Sequence, residues 1–405
     1  MPAVRGGAVE ALVEMILKEN ERYGEADLTL FSIYDPLALK AGIQYPSVHF
    51  RFIRPSGHWL KLDAGIHRIA YDYLKKQNHL SYKTIFQRLN YLYQVAENLN
   101  DENYDAVVFE NQMASLWILL YKNNREKYKG KYFFHLHNHP ERYAHAERLV
   151  SECARIICVS SFIGHAFAQR IGIPYTQGKF AVLKNVVDEE LFDPAEVTEY
   201  DGKLIRRALG LENRNVVLFL GRLMEGKGVR ELLQAFLKMN RPDTVLLIVG
   251  SFNFDNDEHS PYETELQGLI EEIGRKRVIF TGYVPHDRVP AYYRCADVVC
   301  MPSTCEDAAP LAVIEALRMG CVLITTDMGG IPEYADENCA VIVENNESLP
   351  DNLAIEICSL LDDPVRRRQL SEAALAVSED RTLSVYYHNF ISIVYNRLVE
   401  ESDNE

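Results

Sequence analysis

The sequence predicts an α/β protein made of two doubly wound domains. Three observations carry that expectation. A length of 405 residues exceeds what one hydrophobic core usually supports, short β-branched or aromatic runs alternate with amphipathic stretches, and this alternation falls into two series. The first series places strands near 28–33, 48–53, 106–110, 132–137, 156–159 and 180–183. The second places them near 216–220, 245–249, 278–281, 298–301, 322–325 and 340–343. Helices with three- and four-residue apolar spacing follow strands of the second series, at 229–239, 311–319 and 349–361. Between the two series, 187–199 is rich in Asp and Glu and reads as an acidic linker. The boundary is therefore set between an N-terminal domain over 1–187 and a C-terminal domain over 188–382. The tail at 383–398 reads as a last helix, with 383–405 expected to pack back on the first domain. In open α/β sheets ligands bind beyond the carboxyl ends of the strands, so two facing sheets imply a cleft, and function is sought in the loops after strands.

Composition removes several function classes. An apolar share of 47% is that of a globular protein, and no apolar run approaches the roughly 20 residues of a membrane helix. The first residues lack a secretory-signal pattern, so a cytoplasmic location is expected. The eight cysteines form no Cys-x-x-Cys pair and read as buried, reduced thiols. A formal charge of −15 argues against nucleic acid as a partner. One segment departs from that average. Over 51–88, Arg51, Arg54, Lys61, Arg68, Lys75, Lys76, Lys83 and Arg88 stand against Asp63 and Asp72, interleaved with Phe52, Trp59, Tyr71, Tyr73, Tyr82 and Phe86. Basic and aromatic residues mixed in this way suit peripheral contact with an anionic membrane face; the competing reading is an ordinary surface with a half-buried aromatic side.

The most informative stretch runs from Ser303 to Leu317, where an acidic loop meets a helix start. Pro310 suits the first helical turn, which leaves the N–H groups of Leu311 and Ala312 to face an anion such as a diphosphate. Glu315 lies four residues beyond Leu311 on the same helical face, where a carboxylate accepts hydrogen bonds from ribose hydroxyls. Glu306, Asp307 and Glu315 taken singly would read as solvated carboxylates; their spacing as a set favours a nucleotide site. A second constellation, Gly221-Arg-Leu-Met-Glu-Gly-Lys-Gly228, follows the strand at 216–220. Its glycines permit close backbone approach, and Arg222 and Lys227 can neutralise a pyrophosphate. The segment misses the P-loop pattern because Gly228 occupies the place of the metal-binding hydroxyl.

These motifs resemble those of the family-4 glycosyltransferases of GT-B fold, among the glycosyl transferases group 1. The resemblance rests on Gly221-Arg222-Leu223 with Lys227-Gly228, and on Asp307 and Glu315 with seven residues between them. Thr281-Gly-Tyr-Val284, Asp327-Met-Gly-Gly-Ile-Pro-Glu333 and Lys184-Asn-Val-Val-Asp188 add to it. It implies two Rossmann-like domains facing across a cleft, and a retaining hexosyltransferase acting on a nucleotide diphosphate sugar. A UDP-sugar is the expected donor, and a glycan or lipid-linked molecule of a surface polysaccharide pathway the expected acceptor. The resemblance assigns the diphosphate to Arg222 and Lys227, the ribose to Glu315, the base to the backbone at Tyr283 and Val284, and the transferred sugar to Asp307. It also places Gly6 and Gly7 beside the phosphates and sugar, and His137 against the sugar. No cofactor and no metal are expected. His135 and His137 alternate onto one strand face, with no carboxylate supplied nearby. Asp255-Asn-Asp257 imitates a metal-binding triplet but reads as a solvated loop.

Three departures from the family pattern accompany the resemblance. Asp307 stands where the family has glutamate, with Glu306 adjacent and able to serve, and Val186 replaces a glycine. The chain also begins at its Gly-Gly loop without the apolar strand that normally precedes it, so either the start lies upstream or the first sheet lacks a central strand. Two rival readings are a GT-B nucleotide-sugar epimerase and a catalytically silent structural or carbohydrate-binding relative. Retained Arg222, Lys227 and Glu315 count against silence.

Overall fold

A computed structural model describes residues 1–4, 7–73, 83–250 and 261–402, with side chains as far as 396 except at 72 and 73. The chain divides into two compact units. The first comprises 1–159, 164–183 and 386–405, and the second 160–163 and 184–385. The main passage between them falls after Leu183, four residues before the boundary read from the sequence, and a later one falls inside the terminal helix Leu383–Ser402.

In the first unit, β1 (Thr29–Ile33) pairs in parallel with β2 (His49–Ile53). A separate parallel sheet holds β3 (Val107–Glu110), β4 (Tyr132–Leu136), β5 (Arg155–Cys158) and β6 (Phe180–Val182), in that order. Among the described residues no ladder joins the two sheets. Every residue of β4 is buried, as expected for a central parallel strand covered on both faces. The Ala8–Tyr23 helix buries Leu12, Val13, Met15, Ile16 and Leu17 along one stripe and ends at Gly24, whose φ of 65° suits a left-handed cap. The terminal helix is tied to it: the Tyr387 hydroxyl donates to Asn20 Oδ1 at 2.7 Å.

The second unit holds one six-stranded parallel sheet of β7 (Asn215–Leu220), β8 (Thr244–Val249), β9 (Val278–Gly282), β10 (Val298–Met301), β11 (Leu323–Thr326) and β12 (Val341–Val343). Their order is β12-β11-β10-β7-β8-β9, so the direction of winding reverses between β7 and β10. This is the Rossmann order, and the reversal point is where such sheets bind ligands. Both faces are covered: Val217, Phe219, Leu246 and Ile248 enter one core, Val216, Leu218, Val245 and Leu247 the other.

The segment read as an acidic linker is a packed part of the second unit. Val187 and Phe192 are buried in its core; of the acids between them, Asp188 accepts the amide of Glu190 at 3.1 Å, Glu189 accepts the amide of Leu383 at 2.9 Å, and Glu190 is exposed. All eight cysteines are free thiols; six are buried, Cys358 is half-buried and Cys305 is exposed. Burial pushes the Cys295 and Cys321 thiols up to about 12, which keeps them protonated and inert.

Candidate functional site

The loops that leave β7 and β10, on either side of the reversal, carry the two constellations singled out in the sequence. Backbone hydrogen bonds hold them together. The Gly226 carbonyl accepts from the amides of Thr304 at 2.9 Å and Cys305 at 3.2 Å. Gly228 has φ 74°, and a Cβ there would collide with the Pro302 carbonyl, so glycine is required for both conformation and space. The loop after β11 joins the same cluster: Gly330 N–H donates to the Asp307 carbonyl at 2.7 Å, and the Thr326 hydroxyl to the Ser303 carbonyl at 2.6 Å.

Side chains then converge. Lys227 forms an ion pair with Asp307 in which both groups are largely shielded from water, whereas Glu306 is exposed and lies outside that pair. Arg222 is exposed and has no side-chain partner among the described residues. Pro310 caps the Leu311–Arg318 helix, and the amides of Leu311 and Ala312 open its first turn. Glu315 on that helix is 4% exposed, and both of its oxygens are engaged. His286 Nε2 lies 2.9 Å from Oε1, and the Tyr293 hydroxyl donates to Oε2 at 2.8 Å. The hydrogen bond to Glu315 raises the His286 pKa above its ordinary 6.5. Burial pushes the Tyr293 hydroxyl far up, and the carboxylate adds to that shift, so it remains a proton donor. Beyond β9, Gly282 turns the chain with φ 72°, Tyr283 is exposed and Val284 packs against the core. Upstream, Asn185 donates to the Ala309 carbonyl at 3.2 Å and Lys184 to the Glu333 carbonyl at 2.7 Å, so both outlying motifs brace the site's walls.

In the first unit Gly7 stands at the helix start with φ 122°, while Gly6 lies outside the described residues, as does Asp255-Asn-Asp257. His137 follows β4 directly, and here the expectation that no carboxylate is nearby is overturned. β3 pairs with β4 in a register that sets Glu110 opposite His135. Glu110 Oε2 lies 3.1 Å from His135 Nδ1 and 2.8 Å from His137 Nε2. Burial pushes the Glu110 carboxyl up, but the two imidazoles outweigh it and hold the group well below the usual carboxylate range. Burial, with His135 adding to it, pushes His137 down to about 4.

Comparison with known proteins shows what this chain is similar to. Residues 201–377 match the model of glycosyl transferases group 1. The chain is 27% identical over 92% of its length to a Bacillus subtilis protein named as a glycosyltransferase, YtcC, covering 83% of it. It is 25% identical over 72% of its length to the lipopolysaccharide 1,2-N-acetylglucosaminetransferase of Salmonella typhimurium, covering 75% of that protein. The chain is a glycosyltransferase. Its fold is GT-B: Anabaena HepE, solved with UDP, with UDP and glucose, and with UDP-glucose, superposes with TM-scores of 0.71 to 0.72 over 97% of both chains at 18% identity.

Sequence reasoning about this glycosyltransferase missed His286, Tyr293 and Glu110. His286 lies 29 positions before Glu315, and Glu110 lies 25 before His135, so only tertiary structure joins them. The signal available for His286 was its place in the loop after β9, beside the residues assigned to the base.

Proposed function

We propose that this glycosyltransferase transfers a hexose or N-acetylhexosamine, with retention of anomeric configuration, from a UDP-sugar to a glycan or lipid-linked acceptor in surface polysaccharide synthesis. The observation that carries the reading is the convergence of the loops after β7 and β10 at the winding reversal. Arg222, Lys227 and the first amides of the Leu311–Arg318 helix then stabilise the departing diphosphate, a task of cationic forks and a helix N-terminus that needs no metal. Glu315 receives the ribose hydroxyls, exchanging contacts with His286, and the backbone at Tyr283 and Val284 receives the base. Asp307 or its neighbour Glu306 lies against the transferred sugar. HepE, solved with UDP-glucose, supports a uridine donor, and the lipopolysaccharide transferase of Salmonella supports a glycan acceptor.

The test is metal-free thermal stabilisation by UDP, GDP and ADP of wild type, Arg222→Ala and Glu315→Ala. Ligand at about 100 times its dissociation constant adds roughly 2.7 kcal/mol. Stabilisation of wild type by UDP, lost in both variants, is expected; indifference of wild type to all three overturns the reading. The basic stretch at 51–88 fits peripheral membrane contact through its described part, although Lys75, Lys76 and Tyr82 lie outside the described residues. Co-sedimentation with anionic vesicles at low salt is expected, and no pelleting at any salt concentration refutes it. No helix among the described residues is long and apolar enough to cross a membrane.

A further inference from the structure

We propose that Glu110, His135 and His137 form a binding site for one divalent transition-metal ion of the zinc class within the first unit. One donor atom from each residue lies within 4.8 Å of the others. The two measured separations, 3.1 and 2.8 Å, fall just short of the roughly 3.3 Å between ligands of a tetrahedral ion with bonds near 2.0 Å. The third separation, between the two imidazole nitrogens, lies within 4.8 Å, so small rotations of the side chains admit the ion. Two imidazole nitrogens and one carboxylate suit zinc and its neighbours, whereas magnesium and calcium select oxygen-only sets. Three protein donors also leave a fourth position open to water or to a hydroxyl of a bound molecule.

The donors are fixed in advance. Ladder register presents Glu110 to His135, strand alternation puts His135 and His137 on one face, and Asn111 locks the end of the strand. With φ 53°, Asn111 turns its carboxamide oxygen to accept the amides of His137 at 3.0 Å and Asn138 at 3.1 Å. The side chains of His135 and His137 are 0% and 3% exposed, and Glu110 is 22% exposed. Among the described residues the Glu110 carboxylate meets only these two imidazoles, with no Lys or Arg in reach. His135 Nε2 and His137 Nδ1, turned away from the carboxylate, are buried and have no hydrogen-bond partner among the described residues. The three donors all belong to the first unit, whereas the loops after β7 and β10 belong to the second.

The experiment uses the full chain with any affinity tag removed. After incubation with Zn²⁺ and desalting, elemental analysis of wild type is expected to give roughly one equivalent of zinc per chain. Co²⁺ is expected to give the intense visible bands of a four-coordinate ion. Glu110→Gln and His135→Gln should lose both signals while keeping thermal stabilisation by UDP, a readout located in the other unit. Wild type that retains no zinc and gives only the weak spectrum of hydrated Co²⁺ overturns the proposal, and so does equal retention by folded variants. The cluster would then be a hydrogen-bonded triad that orients His137. Because the wild-type measurements decide alone, a variant that fails to fold does not rescue it.

Discussion

Replacing Tyr293 with Phe isolates one contact of the nucleotide site. The residue is 1% exposed, and its hydroxyl stands 2.8 Å from Glu315 Oε2 and 3.1 Å from the Ala312 carbonyl. A single hydroxyl proton serves the charged acceptor preferentially. Phenylalanine keeps the ring packing against Phe192 and removes only the donor, so the cost is that of a buried carboxylate oxygen left without a partner. This amounts to about 2 kcal/mol. For a unit of this size it lowers the melting temperature by roughly 4–8 °C, at about 2–4 °C per kcal/mol. The assay is thermal unfolding of wild type, Tyr293→Phe, Glu315→Ala and the double variant. In the Glu315→Ala background the hydroxyl has no carboxylate to serve, so the Phe substitution should cost less than about 1 kcal/mol there. A single-variant loss below about 0.5 kcal/mol, or strict additivity, refutes the claim that Tyr293 sustains the buried charge of Glu315.

Three further outcomes are expected. Asp307→Asn releases Lys227 and removes a negative charge beside the phosphates, so calorimetry should show UDP binding about tenfold tighter, roughly 1.4 kcal/mol, while sugar transfer falls. Gly228→Ala forces a left-handed conformation onto alanine and drives its Cβ into the Pro302 carbonyl; a loss of at least about 2 kcal/mol should appear as a lower melting temperature. His286 has a pKa raised above 6.5 by Glu315, so its contribution to stability is complete below that ordinary value and is lost as pH rises through the raised one. The stability gap between wild type and His286→Ala should therefore be full below about pH 6 and close as pH rises from there, and a gap that widens with pH contradicts the pairing.

The architecture was largely legible because each element is written locally. All twelve strands form within a residue or two of their expected places, since apolar runs such as 245–249 have no other way to be buried. The glycine at 228 and the proline at 310 mark turn and helix start by chemistry that acts over a few residues. What was not legible is written across the sheets. Glu110 reaches the two histidines through strand pairing, and Glu315 meets His286 and Tyr293 through helix packing. The supposed linker failed for a related reason: acid content suggested solvent, while two apolar residues, Val187 and Phe192, decided the packing.

The loops at the winding reversal are positioned by main-chain atoms: the Gly226 carbonyl with two amides of the next loop, and Gly330 with the Asp307 carbonyl. Side chains at 306 and 307 take no part in those bonds, although Asp307 adds its ion pair with Lys227 as a second tie between the loops. Position 306, exposed and outside both the main-chain bonds and the ion pair, should therefore accept a wide mutational library while the protein remains foldable, whereas 307 is held to a residue that can answer Lys227.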